Sequence, residues 1–340
     1  MKFLAAAAGA VERMPLPDSI TRAGIALLVE RTSRRLQHAD PSVERAFAAG
    51  MAEFPIALHT DDANAQHYEL PPAFFALILG PRRKYSCCFY DGATTLAAAE
   101  ERALAETAAH AMLQDGQRVL ELGCGWGSLT LWMAEHFPRS QIVAVSNSRA
   151  QRDYIETEAM LRGLHNVKIL TADMNEFEAE DRFDRVVSVE MFEHMSNWPA
   201  LLTRVHSWLE PQGMLFLHVF SHRTRPYRFD LEDKADWIAQ HFFTGGVMPS
   251  HGLIRELDMP FVVAADWRWN GTHYRRTAEH WLRNYDANAG TIGAILRQVY
   301  GGAALLWARR WRLFFLATAE LFGAHAGTEW GVSHYALRPR

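Results

Sequence analysis

The chain has 340 residues, 49% of them apolar, which is enough to bury the core of one large domain, alone or with a smaller addition. A formal net charge of −4 gives no reason to expect nucleic acid as a partner. Three cysteines exclude the disulfide framework of a small secreted domain and favour a reducing, cytoplasmic compartment.

The N-terminal region, residues 1–80, is predicted to be helical. Its first eight residues faintly resemble a signal peptide, but charged residues follow at once and a helix is the better interpretation. From about residue 16 to residue 65, apolar and charged positions alternate at helical spacing, with Asp18 or Ser19 as the N-cap. Its apolar positions also allow a homodimer contact. The region also contains Arg22, Arg31, Arg34 and Arg35. These side chains could contact an anionic membrane surface, but a solvated helix face is the favoured interpretation.

The segment 81–115 is predicted to close over a bound ligand and then to lead into the central sheet. It carries an aromatic and thiol cluster from Tyr85 to Tyr90, directly before the most glycine-rich turn of the chain. A helix is expected to begin at Thr95 and to reach about Leu113.

The stretch from Gly116 to Ser128 predicts a buried strand, Val119–Leu122, that runs into a glycine turn and opens a helix. Glycines at 123, 125 and 127 remove side chains where a backbone must bend and approach a ligand. Their G-x-G-x-G spacing differs from the dinucleotide fingerprint, and the acidic Glu121 precedes the turn. The pattern favours S-adenosylmethionine (SAM) over NAD, with an ordinary structural turn as the alternative.

From Val119 onward, strands and helices alternate, which predicts an α/β fold with a parallel sheet over residues 116–222. The predicted strands are Val119–Leu122, Gln141–Val145, Val167–Thr171, Asp184–Val189 and Met214–Val219. Residues 223–340 are predicted to form a helical substrate cover, at 227–243 and 277–322, plus late strands at 261–270 and 331–338. The many aromatic side chains of this part predict an apolar substrate chamber, although core packing explains most of them individually.

Polar residues follow the predicted strands, where an open α/β sheet binds its ligand. After the second strand come Ser146, Asn147 and Ser148, with Gln151 one turn later, so neutral amides would hold a ribose. Asp173 is a candidate acceptor for an adenine amino group, or else an N-cap. The fourth strand ends in two carboxylates and an imidazole, Glu190, Glu193 and His194, which are candidate catalytic residues; ordinary acidic residues at a helix start are the alternative.

Taken together, these stretches resemble the SAM-dependent family that unites cyclopropane-fatty-acyl-phospholipid synthases with plant coclaurine-type N-methyltransferases. The resemblance implies a class I SAM-dependent methyltransferase (Rossmann-like) sheet with a helical N-terminal region and helical substrate-covering insertions. It covers nearly the whole chain. The matching stretches are 85–88, 119–127, 145–151, 183–189, 191–195, 217–218, 311–316, 320–323 and 329–330.

The resemblance also implies a cofactor site for SAM, whose product is S-adenosyl-L-homocysteine. Tyr85 and Ser86 would close on the amino-acid end of the cofactor. The other expected cofactor contacts are Gly123, Gly125, Asn147, Gln151 and Asp173, together with Glu121, Gly127 and Met174. No metal is expected.

The two branches of the family require different chemistry. The cyclopropane branch resembles enzymes that hold bicarbonate with Cys, Glu, His and Tyr, matched here by Cys87, Glu193 and His218. By sequence the tyrosine position falls at Phe315, which cannot donate a hydrogen bond. The N-methyltransferase branch needs only alignment and a base for the amine proton, which His194 would accept while Glu193 and Glu190 stabilise positive charge.

The sequence therefore predicts a SAM-dependent N-methyltransferase acting on the amine of an aromatic, isoquinoline-like small molecule. Phe322 and Trp330 are further expected substrate contacts beside Cys87, His218 and Phe315, and an aromatic face would attract the ammonium product by about 1 kcal/mol. The alternative is a cyclopropane synthase or fatty-acyl C-methyltransferase that acts on unsaturated lipid chains at a membrane surface. A SAM-binding or lipid-binding protein without turnover is a third hypothesis.

Overall fold

The computed structural model describes residues 12, 16–37, 40–58, 70–229 and 237–340. Predictions for residues 1–11, 13–15, 38–39, 59–69 and 230–236 lie outside the described residues. The strands are β1 Arg118–Leu122, β2 Gln141–Ser146, β3 Val167–Thr171, β4 Phe183–Val189, β5 Leu209–His222, β6 Tyr227–Arg228, β7 Val247–Met248, β8 Phe261–Asn270 and β9 Trp330–Pro339.

The helices lie before, between and after these strands. They are α1 Asp18–Leu36, α2 Pro41–Gly50, α3 Pro72–Ile78, α4 Leu96–His110, α5 Ser128–His136, α6 Arg149–Leu161, α7 Trp198–Ser207, α8 Trp237–His241, α9 Leu253–Glu256, α10 Thr272–Ala287, α11 Ala289–Tyr300 and α12 Ala304–Gly323. Within the described ranges, no helix combines the length and the apolar character that a bilayer crossing needs.

One seven-stranded sheet, in the order β3-β2-β1-β4-β5-β9-β8, carries the fold. Its first five strands are parallel, as expected of short apolar runs joined by crossover helices, and β9 and β8 extend the sheet by antiparallel pairing. The parallel strands are covered on both faces, and Leu120, Val186 and Leu215 are fully buried. The carboxyl ends of β1 to β4 consequently meet along one edge.

The predicted strands are confirmed, and the structure differs from the prediction at three places after β4. Strand β5 extends to His222, beyond the predicted end at Val219, because β9 pairs with it as far as His222 opposite Trp330. The helical prediction for 227–243 was wrong at its start, since Tyr227–Arg228 pairs with β7 as a short antiparallel ribbon. The predicted cover at 277–322 is three helices, α10 to α12, and begins earlier, at Thr272.

Helix α1 packs against the C-terminal helices through ion pairs. Arg22 contacts Glu320 at 2.6 Å and Glu279 at 2.8 Å, and Arg312 of α12 contacts Asp18 at 2.6 Å. The helix begins at Asp18 with Pro17 as its N-cap, so the predicted Asp18 or Ser19 cap was wrong. Proline suits this boundary because its missing N–H would have no intrahelical partner.

Gly271, between β8 and α10, allows the cover helices to approach the sheet. A Cβ atom there would collide with the backbone carbonyl oxygens of Trp330 and Phe322, neither of which can move freely. We expect Gly271→Ala to lower the free energy of unfolding by about 2 kcal/mol or more, because overpacking against backbone cannot relax.

Gly290→Ala provides the matched control, measured by urea unfolding on the same protein. No atom lies within 4 Å of the added Cβ and Gly290 belongs to helix α11, so this change should stabilise by about 0.5–1 kcal/mol. Equal effects of the two substitutions would contradict the assigned role of Gly271.

Candidate active site

The glycine turn after β1 forms one wall of a cavity. Gly123, Gly125 and Gly127 have φ angles of 77°, 52° and 75°, a region that favours glycine. A Cβ on Gly123 would lie 2.6 Å from Met191, and one on Gly127 would lie 2.7 Å from Ile155. A Cβ on Gly125 would meet no protein atom within 4 Å, because this glycine borders the cavity.

The cavity lies beyond the carboxyl ends of β1, β2, β3 and β4, as predicted for an open α/β sheet. Most of the predicted cofactor residues line it, together with two of the predicted catalytic residues. These lining residues are Tyr85, Ser86, Glu121, Gly123, Gly125, Asn147, Gln151, Asp173, Met174, Glu190 and His194. Gly127 is not in the wall; it serves as the N-cap residue of α5.

Several buried polar atoms in the wall have no hydrogen-bond partner within the described residues. Gln151 accepts a hydrogen bond from Ser146 Oγ at 2.6 Å, and its Nε2 stays unpartnered. Thr107 Oγ1, Trp126 Nε1 and Ser128 Oγ are also unpartnered. Since buried polar groups are normally satisfied, these atoms fit a polar ligand such as the nucleoside and amino-acid parts of SAM.

Asp173 also lines the cavity and begins a turn. Its Oδ1 accepts a hydrogen bond from the backbone N–H of Asn175 at 2.7 Å, and its carbonyl accepts from Phe177 N–H. No helix follows directly in this described stretch, so the alternative prediction of a helix N-cap was wrong. The assignment of Asp173 to adenine stays a prediction.

Glu121 is a buried carboxyl at the foot of the glycine turn. Thr130 donates a hydrogen bond to its Oε2 at 2.6 Å. Burial raises the pKa of Glu121 to about 8, and the Thr130 hydrogen bond only partly opposes this effect. Glu121 is therefore largely protonated at neutral pH when only protein surrounds it.

Lys84 is a buried cation that the sequence analysis missed. Its Nζ donates to Ser86 Oγ at 2.5 Å and to the Cys87 carbonyl at 2.8 Å, and its side chain lines the cavity. The neighbouring Tyr85 ring packs on Phe75 and Trp281. A basic residue directly before the aromatic and thiol cluster was the available signal, since a lysine is seldom buried without a function or a partner.

Glu190 is the centre of the polar network. Its Oε1 accepts from Cys87 N–H at 2.9 Å and lies 3.2 Å from His218 Nε2, and Tyr274 donates its hydroxyl hydrogen to Oε2 at 2.7 Å. Its backbone is left-handed, with φ 48°, an uncommon conformation for a residue with a side chain. Burial raises the pKa of Glu190, while Lys84 and the Cys87 N–H favour its ionised form.

The other two predicted catalytic residues follow Glu190 in a short helical turn, Phe192–His194. His194 is half-buried, faces the cavity and stacks on Phe243 with ring centres 5.0 Å apart. Glu193 is fully buried and is not among the lining residues; its Oε1 accepts a hydrogen bond from Phe220 N–H at 2.6 Å. Burial, together with the Glu190 charge, raises the pKa of Glu193 well above its usual range.

The predicted substrate residues fall into two groups. Cys87 and His218 contact Glu190 and are buried without bordering the cavity. Phe315 and Trp330 are completely buried among aromatic side chains, and Phe322 stacks on Tyr274 with ring centres 4.3 Å apart. A tyrosine does reach the group of Cys87 and His218, but it is Tyr274 of α10 and not residue 315.

Residues 58–327 match the sequence model of the family described as mycolic acid cyclopropane synthetase. The chain is 34% identical to (S)-coclaurine N-methyltransferase of Thalictrum flavum subsp. glaucum over 296 residues, 85% of this chain and 82% of the relative. It is 32% identical to cyclopropane-fatty-acyl-phospholipid synthase of Escherichia coli K12 over 222 residues, 65% of this chain and 55% of that relative.

Solved structures show the same two resemblances. Coclaurine N-methyltransferase bound to N-methylheliamine and S-adenosylhomocysteine has a TM-score of 0.89 and 32% identity, with 96% of each chain covered. A cyclopropane synthase from Mycobacterium tuberculosis has a TM-score of 0.70 and 23% identity, covering 83% of this chain and 98% of that one. The second likeness concerns the fold alone.

The raised pKa of Glu121 predicts a pH-dependent stability. Between its usual value of 4.5 and about 8, the unfolded chain releases this proton and the folded chain keeps it. Stability should therefore fall as the pH rises through this window, by up to about 1.4 kcal/mol per pH unit, and level off above it. Glu121→Gln should remove this slope, because an amide keeps the hydrogen bond from Thr130 and does not titrate.

Urea unfolding of both proteins, without cofactor, between about pH 5 and about pH 9 measures the difference. Parallel curves for the wild type and the variant would show that Glu121 titrates at its ordinary value.

Proposed function

The chain belongs to the mycolic acid cyclopropane synthetase family of SAM-dependent methyltransferases, and we propose that it transfers the methyl group to an amine nitrogen. The proposed acceptor is a secondary amine in an aromatic, isoquinoline-like skeleton, and the relatives named coclaurine N-methyltransferase support nitrogen as the methylated atom. One observation carries this proposal, a buried carboxylate on the cavity wall at Glu190, since a carboxylate attracts an ammonium ion.

The cofactor, when bound, supplies an electrophilic methyl group on a positively charged sulfur. Gly123 and Gly125 leave space for it, and Gln151, Ser128 and Trp126 offer donors to it. Glu121 offers a carboxyl in the same wall. The protein's task is then to present the amine lone pair, which requires that the ammonium ion first lose a proton.

Glu190 is suited to take that proton. Each carboxylate oxygen has about two lone-pair positions, and both positions of Oε1 are engaged by Cys87 and His218. Oε2 accepts only from Tyr274 among the described residues, so one of its lone pairs is available to a substrate N–H. Because burial raises the pKa of this carboxyl, it is a stronger base than an exposed glutamate.

His194 stands beside Glu190 on the same wall and is proposed to relay or accept the amine proton. Its stacking on Phe243 fixes the ring plane. Glu193 is proposed to act differently from Glu190, as a neutral acid that supports the β5 backbone through Phe220 N–H. The alternative is the charge-stabilising role predicted for Glu193, and mutagenesis at this position distinguishes the two roles.

The compartment and the assembly are also proposals. A reducing cytoplasm is supported by three free cysteines, all of them buried. A homodimer contact is proposed through the exposed apolar residues of α1, Ile20, Leu27 and Leu28. Contact with a membrane surface belongs only to the lipid alternative.

Labelled SAM tests the acceptor. We expect label to enter a cyclic secondary amine from a panel of isoquinoline-like compounds, and not unsaturated phospholipid vesicles incubated in parallel. Label confined to the lipid would overturn the amine proposal in favour of the cyclopropane branch. Label in neither acceptor, with SAM bound, would support a binding protein.

His194→Ala and Glu190→Gln test the base. We expect either change to lower kcat by about 10²- to 10⁴-fold while SAM affinity, measured by calorimetry, changes far less. The control His165→Ala alters an exposed histidine outside the cavity and should have no effect. Glu193→Gln separates its two proposed roles, because a neutral support tolerates an amide and a charged group does not. Equal loss of turnover and SAM affinity at position 194 would identify a structural histidine.

Bicarbonate depletion tests the other branch. The donors of Cys87, His218 and Tyr274 are already directed at the Glu190 carboxylate, so a second anion there would meet a like charge. We expect turnover in carbonate-free buffer to equal turnover after bicarbonate is added. A rate that rises with bicarbonate would favour the chemistry of the cyclopropane branch.

A further inference from the structure

Lys84 is a buried cation that has no carboxylate at hydrogen-bond distance within the described residues. The residue is 2% exposed, and its Nζ donates to two neutral oxygens, Ser86 Oγ at 2.5 Å and the Cys87 carbonyl at 2.8 Å. An ammonium group has three N–H donors, so one donor of Lys84 is left over. Because a buried charge is costly unless it is paired, the remaining donor and the charge point to a ligand.

Two acidic side chains act on Lys84 from farther away, and neither balances its charge fully. Burial raises the pKa of Glu100 to about 7, although three backbone N–H groups and the Lys84 charge oppose this effect. Glu100 is therefore about half protonated at neutral pH. Lys84 also favours the ionised form of Glu190, but that carboxylate accepts its hydrogen bonds from three other residues.

The chain before Lys84 holds the residue in place. The Glu100 carboxylate of α4 accepts hydrogen bonds from the backbone N–H groups of Gly80 at 3.0 Å, Arg82 at 2.9 Å and Lys84 at 3.3 Å. A Cβ atom on Gly80 would collide with the same carboxylate, so residues 80–84 wrap closely around it. The backbone of Lys84 is thereby fixed before any ligand arrives.

Lys84 lines the cavity that also borders Gly123, Gly125 and Glu121. SAM has a sulfonium, an ammonium and an α-carboxylate, and only the carboxylate is attracted by a cation and accepts hydrogen bonds from it. The wall thus offers a positive charge to the one anionic group of the cofactor.

We propose that Lys84 binds the α-carboxylate of SAM and so fixes the amino-acid end of the cofactor. The sequence analysis expected Tyr85 and Ser86 at this end, and the hydrogen bond from Lys84 to Ser86 Oγ places the ammonium group beside that expected contact. This inference rests on the SAM-dependent part of the proposed function and does not depend on the identity of the acceptor.

The expected contribution to affinity is large. An ion pair is stronger in a site with little water, and an ammonium group that is already held in place loses little further freedom when the ligand binds. Removing one partner of a buried, hydrogen-bonded charge pair should weaken binding by about 10²- to 10³-fold.

Two ligands that differ only in the carboxylate give the first test, by calorimetry on the wild-type protein. S-adenosylhomocysteine has the carboxylate, whereas 5′-deoxy-5′-(3-aminopropylthio)adenosine lacks it and keeps the ammonium group, the sulfur and the nucleoside. We expect S-adenosylhomocysteine to bind at least about 10²-fold more tightly. Equal affinities would overturn the proposal without any variant. Affinity is measured in place of turnover, because the Lys84 charge also favours ionised Glu190.

Lys84→Met then removes the charge and keeps an unbranched side chain. We expect the affinity for S-adenosylhomocysteine to fall by about 10²-fold, and the affinity for the decarboxylated analogue to fall by less than about threefold. A general disturbance of the segment would weaken both ligands and cancels in the ratio of the two affinities. Equal losses for the two ligands would identify a structural lysine and overturn the proposal.

Two further variants serve as controls. Lys168→Met makes the same substitution at an exposed lysine of β3 outside the cavity, and should leave both affinities unchanged. Arg83→Met tests the neighbouring cation, which also lines the cavity and donates from Nε to the Tyr154 hydroxyl at 3.4 Å. Arg83→Met should retain the preference for the carboxylate. If Arg83→Met abolishes this preference and Lys84→Met does not, the proposal is wrong.

Lysine NMR gives a readout that is independent of affinity. The chain has four lysines, so protein labelled with ¹³C at lysine Cε gives four signals. The Lys84 signal is the one missing from the spectrum of Lys84→Arg, a variant that keeps the positive charge. We expect saturating S-adenosylhomocysteine to shift this signal and the decarboxylated analogue to shift it far less. Equal shifts with the two ligands would contradict a contact with the carboxylate.

The anchor and the proposed function can fail separately. If the carboxylate preference depends on Lys84 but no amine is methylated, the anchor stands and the proposed acceptor is wrong. If amines are methylated and the preference does not depend on Lys84, the function stands and the anchor is wrong. A wild-type protein that does not bind S-adenosylhomocysteine would overturn both.

Discussion

A carboxylate removed from water must be surrounded by hydrogen-bond donors, and this requirement organises the centre of the molecule. The donors to Glu190 come from three elements: Cys87 from the segment before α4, His218 from β5 and Tyr274 from α10. The lead-in segment, the sheet and the substrate cover are thereby held to one point at the end of β4. The same point borders the cavity proposed to hold the methyl donor, where the proposed ammonium substrate would offset the cost of burying this charge.

The glycine turn and the end of β4 are packed against each other where Gly123 meets the Met191 side chain. Gly123 of the cofactor turn approaches Met191, the residue directly after Glu190, so closely that a Cβ would lie 2.6 Å away. Methyl transfer needs donor and acceptor in line at short range, and a larger residue at 123 would separate them. In the proposed site, the glycine turn would therefore set the distance to the acceptor as well as the space for the cofactor.

Local sequence predicted the parallel strands, the cavity edge and part of the cavity wall, because each depends on a short apolar run and the polar residues directly after it. The class I methyltransferase fold is confirmed by the likeness to coclaurine N-methyltransferase. Residues that contact each other only because of tertiary packing could not be predicted in this way. Tyr274 is 84 residues from Glu190 and His334 is 116 residues from His218, and only the placement of α10 and the β5–β9 pairing bring them into contact. Lys84 was missed since its burial depends on the same packing.

The left-handed backbone of Glu190 has a consequence for anyone who evolves this protein in the laboratory. Glycine adopts that conformation without strain, and it would also remove a carboxyl that burial makes costly. A library screened for heat resistance alone would thus be drawn towards variants that have lost the proposed base, and activity must be selected alongside stability if the protein is to remain an enzyme.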